Sequence, residues 1–213
     1  MKIIFLSSKD NWIFLKLNKI IKVLKNKNHI VTKIHNHKDI SKSDILFILG
    51  YHKFIPENYL RNVDNSVVVH ESKLPKGRGW SPIAWEIIKN KKKIYFSLIH
   101  ASNKIDQGNI ILQTSINLSG LELFDDIKNI QLKQTEKLCL EFVKKYPKIL
   151  KSSKQQKGKF SYYRRRHPID SKVKFNSKIS EIFNLLRISD NKKYPVFFSF
   201  KGKKFKIKIE KHD

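Results

Sequence analysis

Short apolar runs alternate with amphipathic stretches along the first two thirds of the chain. Lys2–Leu6 is an apolar run of strand length. Trp12–Leu24 carries Ile13, Leu17, Ile20, Ile21 and Leu24 at helical spacing with lysines opposite, which predicts an amphipathic helix. His29–Ile34 alternates apolar and polar positions and reads as a second strand. Ile45–Leu49, after Ser43 and Asp44, reads as a third, and Val67–His70 as a fourth. Strands separated by helical or crossover segments predict an α/β domain built on a Rossmann-like parallel sheet.

The pattern continues with clear punctuation. Ser81 and Pro82 read as a helix start, serine as N-cap and proline at the first helical position, with the helix running to about Lys89. Ile94–Ile99 and Asn109–Thr114 predict two further strands on either side of a loop holding Asp106. Leu123–Tyr146 is a long helical pattern that stops before Pro147. Lys151–Lys159 is polar and weakly patterned, the composition of a linker. Beyond it, Ile179, Ile182, Phe183 and Leu186 mark a short amphipathic helix. Tyr194–Phe200 and Lys204–Ile209 alternate around Lys201-Gly202-Lys203, a hairpin signal. The organisation expected is a main domain over residues 1–150, then a linker and small helix-plus-hairpin subdomain over 151–213.

Composition sharpens this outline. The chain has 213 residues, 40% of them hydrophobic and 11% aromatic, enough for one domain with a substantial core. The single cysteine, Cys139, permits no disulfide within the chain and falls in the long helix, where it reads as a core or helix-face residue. The first apolar run is too short for a secretory signal, and no stretch of membrane-spanning length occurs, so the expected location is the cytoplasm. The turn Ser7-Ser8-Lys9-Asp10-Asn11 after the first strand contains no glycine, which argues against NAD or FAD, whose pyrophosphate needs a glycine-rich turn there.

The formal net charge of +27 would ordinarily point to nucleic acid or an anionic membrane. Only six of the 45 basic residues are arginine, however, and the lysines are scattered along the chain beside Asn and Ile. All three residue types are favoured by A/T-rich codons. Most of the charge is therefore read as a solvated surface, with no membrane or dedicated nucleic-acid partner expected, although a general attraction to polyanions follows from the field.

Candidate chemistry lies in Val67–Pro82 and Asn103–Gln113. His70 ends a predicted strand, the place where α/β sheets hold their ligands, and Asp106 sits in a glycine-containing loop. One histidine and one aspartate so placed are also compatible with a purely structural pair, since spacing alone does not single out His70 among eight histidines.

The order His70, Leu74-Pro75, Arg78-Gly79, Asp106-Gln107-Gly108 resembles the folate-dependent formyltransferase family, which includes the methionyl-tRNA and glycinamide formyltransferases. That family carries Asn-x-His, a Leu-Pro and Arg-Gly loop, and then Asp-x-Gly; the match spans about residues 45–115. The resemblance implies transfer of a formyl group from N10-formyltetrahydrofolate to an amine, without a metal. A neutral amine attacks the formyl carbon, the formyl oxygen gains negative charge, and the nitrogen must lose a proton. The site needs a hydrogen-bond donor for the one and a proton acceptor for the other. Carried over, His70 polarises the formyl oxygen, and Asp106 orients His70 and shuttles the amine proton.

One departure stands out: the family's asparagine falls on Val68, which donates nothing. A lost oxyanion donor typically costs about 100- to 1000-fold in rate. Ser72, Asn103, Gln107, a backbone N–H or His70 alone are the possible substitutes. Ile48–Pro56 is similar to the family's folate-pocket segment, which implies Tyr51, Lys53, Phe54 and Ile55 as cofactor-binding residues, with Ser102, Asn103 and Ile105 on the opposite wall.

The tail, Phe160–Ser171 and Phe183–Pro195, and the loop Leu74–Pro82 resemble sugar N-formyltransferases, closest to the pseudaminic-acid-pathway type. The substrate implied is a UDP- or dTDP-linked amino sugar bound for surface polysaccharide, and the family's members are often homodimers. Its implied substrate residues are Lys73, Arg78, Gly79, Trp80, Tyr163, Arg164, Arg166, Asn184, Arg187 and Tyr194. Clustered arginines and tyrosines suit a diphosphate and a stacked base. Adjacent side chains in an extended segment face opposite ways, so at most two of Arg164, Arg165 and Arg166 share a ligand face, and the third is solvated or pairs with Asp170. Two alternatives stay open: another amine, on aminoacyl-tRNA or glycinamide ribonucleotide, and a non-catalytic binder of folate or nucleotide sugar.

Overall fold

The computed structural model describes residues 1–212. Its centre is a six-stranded sheet built from β1 (Lys2–Leu6), β2 (Ile30–Ile34), β3 (Ser43–Ile48), β4 (Val63–His70), β6 (Lys93–His100) and β7 (Ile110–Asn117), in the order β2-β1-β3-β4-β6-β7. The two-residue strand β5 (Arg78–Gly79) lies outside this sheet. The first four strands are mutually parallel, with Ile3 opposite Ile45 and Ile48 opposite Val68. β6 runs antiparallel to β4, and β7 antiparallel to β6. The sheet is thus mixed and mainly parallel. The short loop between β6 and β7 explains the reversal there, because parallel neighbours need a crossover of about a dozen residues or more.

The helices follow the apolar stripes. The stretch read as one helix over Trp12–Leu24 divides at Leu17 into α1 (Trp12–Lys16) and α2 (Asn18–Lys25). The stripe is kept, with Ile13, Leu17, Ile20 and Leu24 all buried. After the short α3 (Glu57–Leu60) comes α4 (Pro82–Ile88), where the expected cap is not made. Ser81 sits in the left-handed region at φ 47° and its side chain caps nothing. An N-cap hydroxyl needs extended backbone to reach the first N–H groups, whereas Trp80 is pinned by its N–H to the Tyr163 carbonyl and Ser81 must turn sharply.

The long helix α5 (Phe124–Lys145) lays Ile127, Leu138, Cys139, Phe142 and Val143 into the main core. Phe5 stacks on Phe47 at 5.0 Å, and Phe142 meets Phe47 edge-on at 5.8 Å. Cys139 is a packing residue, its thiol pushed up by full burial. A second core on the other side of the sheet gathers Ile4, Leu6, Ile34, Leu46, Ile48 and Val63, with Tyr51, Ile55, Val68 and Ala101 packed against it.

Residues 151–159, expected as a linker, are held to the sheet: Lys154 exchanges two backbone hydrogen bonds with Ile110, each 2.8 Å. Next, β8 (Tyr162–Tyr163) pairs in parallel with β5. The tail ends in α6 (Ile179–Arg187) and the antiparallel hairpin β9 (Val196–Phe200) and β10 (Lys203–Ile207), around a small core of Ile182, Leu186 and Val196. Among the described residues no helix is long and apolar enough to cross a membrane.

Candidate active site

Strand alternation places His70. Val67 and Val69 point into the main core, so Val68 and His70 project from the opposite face of β4. His70 is only 5% exposed. Its Nε2 lies 2.8 Å from the Gly77 carbonyl, and its Nδ1 lies 3.5 Å from Asp106 Oδ1. The second distance exceeds that of a charge-assisted hydrogen bond. The structure therefore brings His70 and Asp106 face to face and leaves Nδ1 without a bonded partner.

Asp106 is tightly held. Its Oδ2 accepts from the Gly79 backbone N–H at 2.8 Å. Its own backbone is left-handed, φ 54°, a conformation that costs a non-glycine residue about 1–3 kcal/mol and persists only where surroundings enforce it. Two features enforce it here. Gly108 packs on β6 so closely that a Cβ would meet the His100 carbonyl oxygen at 1.8 Å. The Gln156 side chain donates to the Asp106 and Gly108 carbonyls at 2.7 and 2.8 Å.

The loop carrying Gly77 and Gly79 is stitched to the tail. Gly77 N–H donates to Ser161 Oγ at 2.9 Å, Arg78 N–H to the Ser161 carbonyl, and Trp80 N–H to the Tyr163 carbonyl. Arg78 donates to Gln156 Oε1 through Nη2 at 2.6 Å and Nε at 3.2 Å, and lies over the Phe160 ring. Trp80 stacks on His52 at 5.5 Å, and Arg165 covers its ring at 5.1 Å. Lys73 sits over Tyr95 instead. Ser72 is fully buried beside Gly77, and its hydroxyl has no partner.

The residues expected around the folate divide. Tyr51 and Ile55 pack on the second core with Val68 and Ala101, and the Tyr51 hydroxyl is engaged with His37 Nδ1 at 2.8 Å. Phe54 and Ile105 are open to solvent, 71% and 64% exposed. Lys53 and Asn103 are exposed as well, and Ser102 donates to the Lys104 carbonyl within its own turn.

Four residues expected to hold the substrate have other partners. Tyr163 is buried, stacked on Trp85 and bonded to Glu86, and burial raises its phenol. Arg164 is committed to Asp170 by a two-pronged ion pair and lies over Trp85. Those hydrogen bonds hold the Asp170 carboxyl down at about 2. Asp170 thus takes the first arginine of the run. Arg187 is buried against Glu122, with Nη2 to Oε2 at 2.8 Å and Nε to the Glu122 carbonyl, and it holds the Asn184 side chain. Asn184 and Arg187 line a cavity of about 220 Å³ between α4 and α6 that contains neither His70 nor Asp106.

Arg166 keeps an unpartnered Nε, and burial lowers its guanidinium. Tyr194 is exposed at the approach to the hairpin. Sequence reasoning missed Gln156, Ser161 and His52, and weighed Arg165 only as one of the three arginines of its run. Each lies in a stretch without periodicity, and its partner is distant in the chain.

The Arg187–Glu122 pair yields a stability prediction. Burial works to raise the Glu122 carboxyl, but hydrogen bonds from the Ser119 and Gly120 amides bring it below its usual range. Arg187→Ala removes the buried ion pair but leaves that carboxylate with its Ser119 and Gly120 donors, and is expected to cost about 1–3 kcal/mol in urea denaturation.

Comparison with known proteins places the chain among relatives. The Formyl transferase family model matches residues 6–143. The bifunctional polymyxin resistance protein ArnA of Wigglesworthia glossinidia brevipalpis is 33% identical over 168 residues, covering 75% of this chain and 24% of that protein. Among structures, the methionyl-tRNA formyltransferase from Clostridium thermocellum superposes with a TM-score of 0.77 at 21% identity, covering 100% of this chain and 94% of that one. A 4-N formyltransferase from Francisella tularensis gives 0.72 at 19% identity, with coverage of 100% and 98%. The chain spans about half the length, or less, of the curated relatives it matches. With the family model covering most of its length, this chain belongs to the formyl transferase family.

Proposed function

We propose that this protein transfers a formyl group from N10-formyltetrahydrofolate to the amino group of a nucleotide-linked amino sugar. The observation that carries the reading is the buried His70–Asp106 pair, with Nδ1 facing Oδ1 at 3.5 Å. Of the two ring nitrogens, Nε2 is taken by Gly77 and Nδ1 is the one open to a reactant. The Gly77 carbonyl only accepts, so Nε2 carries a proton; His70 donates from Nδ1 as the imidazolium, beside the Asp106 carboxylate, as negative charge builds on the formyl oxygen. Asp106, steadied by the Gly79 N–H, accepts the proton that the attacking amine must lose and passes it to N10 as the formyl C–N10 bond breaks and tetrahydrofolate leaves.

The folate supplies the formyl group, and the residues suit the flat faces of its rings. Exposed Phe54 and Ile105 flank the segments whose Tyr51, Ile55 and Ala101 pack with Val68 on the His70 face of β4. The sugar nucleotide reading is supported by the row Arg165, Trp80, His52, whose middle member adjoins Gly79 and which would take a base by stacking at one of its ends. Arg166, half-buried with Nη2 on Ser171 Oγ at 3.3 Å, is the cation this reading assigns to a diphosphate. A second reading, transfer to methionyl-tRNA, draws on relatives of that name and on the net charge of +27.

An anaerobic assay separates them. The protein is given N10-formyltetrahydrofolate with a panel of UDP- and dTDP-linked 3-amino and 4-amino sugars, and in parallel with methionyl-tRNA. The expected result is tetrahydrofolate release and one formyl mass gained by one sugar nucleotide. Formyl gain on the tRNA alone would move the assignment there, and no gain on any acceptor would favour a binder.

A further inference from the structure

We propose that Gln156 is a positioning residue that sets Asp106 in its working geometry, so that the segment after α5 is part of the catalytic apparatus. This rests on the formyl-transfer reading for its kinetic consequence, but not for its structural one.

The Gln156 side chain is saturated. A primary amide has two N–H donors and two carbonyl lone pairs. Here both donors are spent on the Asp106 and Gly108 carbonyls, at 2.7 and 2.8 Å, and the oxygen receives Arg78 through Nη2 at 2.6 Å and Nε at 3.2 Å. Those contacts reach both loops of the site. The donors fix the left-handed Asp106 and the glycine two residues on. The acceptor fixes Arg78, whose neighbour Gly79 holds the Asp106 carboxylate. One side chain therefore grips Asp106 from behind through its backbone and from the front through β5.

The grip is itself anchored. Lys154, two residues before Gln156, forms a bridge with Ile110 at the start of β7, and Ile110 follows the Asp106 loop directly. The loop and its clamp thus share one rigid base. No other natural side chain reproduces the set. Glutamate keeps the Arg78 contact but turns an oxygen toward two carbonyls. Asparagine is one methylene short, and alanine removes everything.

The test compares wild type with Gln156→Glu and Gln156→Ala in kcat, KM for donor and acceptor, melting temperature, and hydrogen exchange at the Gly79 amide. Both variants are expected to lose about 10- to 100-fold in kcat, the scale of a small misplacement of a catalytic group, with both KM values within about threefold. The Gly79 amide, whose acceptor is the Asp106 carboxylate, is expected to exchange at least about tenfold faster, beyond what any change in global stability accounts for. A lowered melting temperature with unchanged kcat and unchanged Gly79 exchange would overturn the proposal and leave Gln156 as ordinary packing. If Gln156→Ala fails to fold, Gln156→Glu, which retains the arginine contact, decides. If wild type proves inactive on every acceptor, the function reading fails by itself, and the Gly79 exchange still reports whether Gln156 places Asp106.

Discussion

His70→Ala is expected to lower kcat for formyl transfer by about 100- to 10,000-fold, the range a positioned acid–base group supplies. On the proposed function, binding of folate and of the sugar nucleotide is expected to stay within about threefold. The imidazole faces the Asp106 carboxylate, and Val68, two residues earlier on the same face, has nothing to donate. The loss should therefore fall on turnover. Folding should suffer little beyond the orphaned Gly77 carbonyl, about 1–3 kcal/mol. Steady-state kinetics with calorimetry on the same preparation checks both halves. A fall of less than tenfold would mean that His70 is a structural residue and that the proton moves by another route. Val68→Asn is the complementary change, and higher turnover in that variant would identify the missing donor.

The second large effect is expected from Gly108→Ala. The added methyl would stand 1.8 Å from the His100 carbonyl oxygen and 2.7 Å from its carbon, both backbone atoms. Neither side can yield easily, because the His100 N–H is bonded to the Asn109 carbonyl at 3.0 Å and closes the β6–β7 turn. The loop must move outward and take Asp106 with it. A displacement of about 1 Å at a reacting group costs roughly 100-fold in rate, and forced overpacking costs about 1–3 kcal/mol in stability. Measured kcat and a urea titration give the two numbers. Retention of full activity would show that the loop has slack this geometry denies it.

The difference between what the chain announced and what it concealed has a physical pattern. β1, β3 and β4 are apolar runs, and α2 and α5 carry stripes, so local periodicity was enough to place them. His70 ends β4 and Asp106 lies in the loop between β6 and β7, but position alone did not single them out; the order His70, Leu74-Pro75, Arg78-Gly79, Asp106-Gln107-Gly108 did, through its resemblance to a family motif. Strand direction was not legible: the alternation in β6 and β7 is the same whether they run parallel or antiparallel to β4. Arg187 and Tyr163 read as free ligand residues, yet each meets a distant acid, Glu122 and Glu86, with which no spacing rule connects it. Gln156 was hidden for the same reason, 50 residues from Asp106 within a stretch that has no pattern.

The pairing of β8 with β5 also sets a schedule. Gly77 waits for Ser161, 84 residues further along, before its amide finds a partner. During synthesis the sheet, His70 and the Asp106 loop all leave the ribosome well before Tyr163 does. A nascent chain that already has its sheet therefore lacks the strand that braces the reactive loop, and competence arrives late, with the emergence of the segment around residue 163.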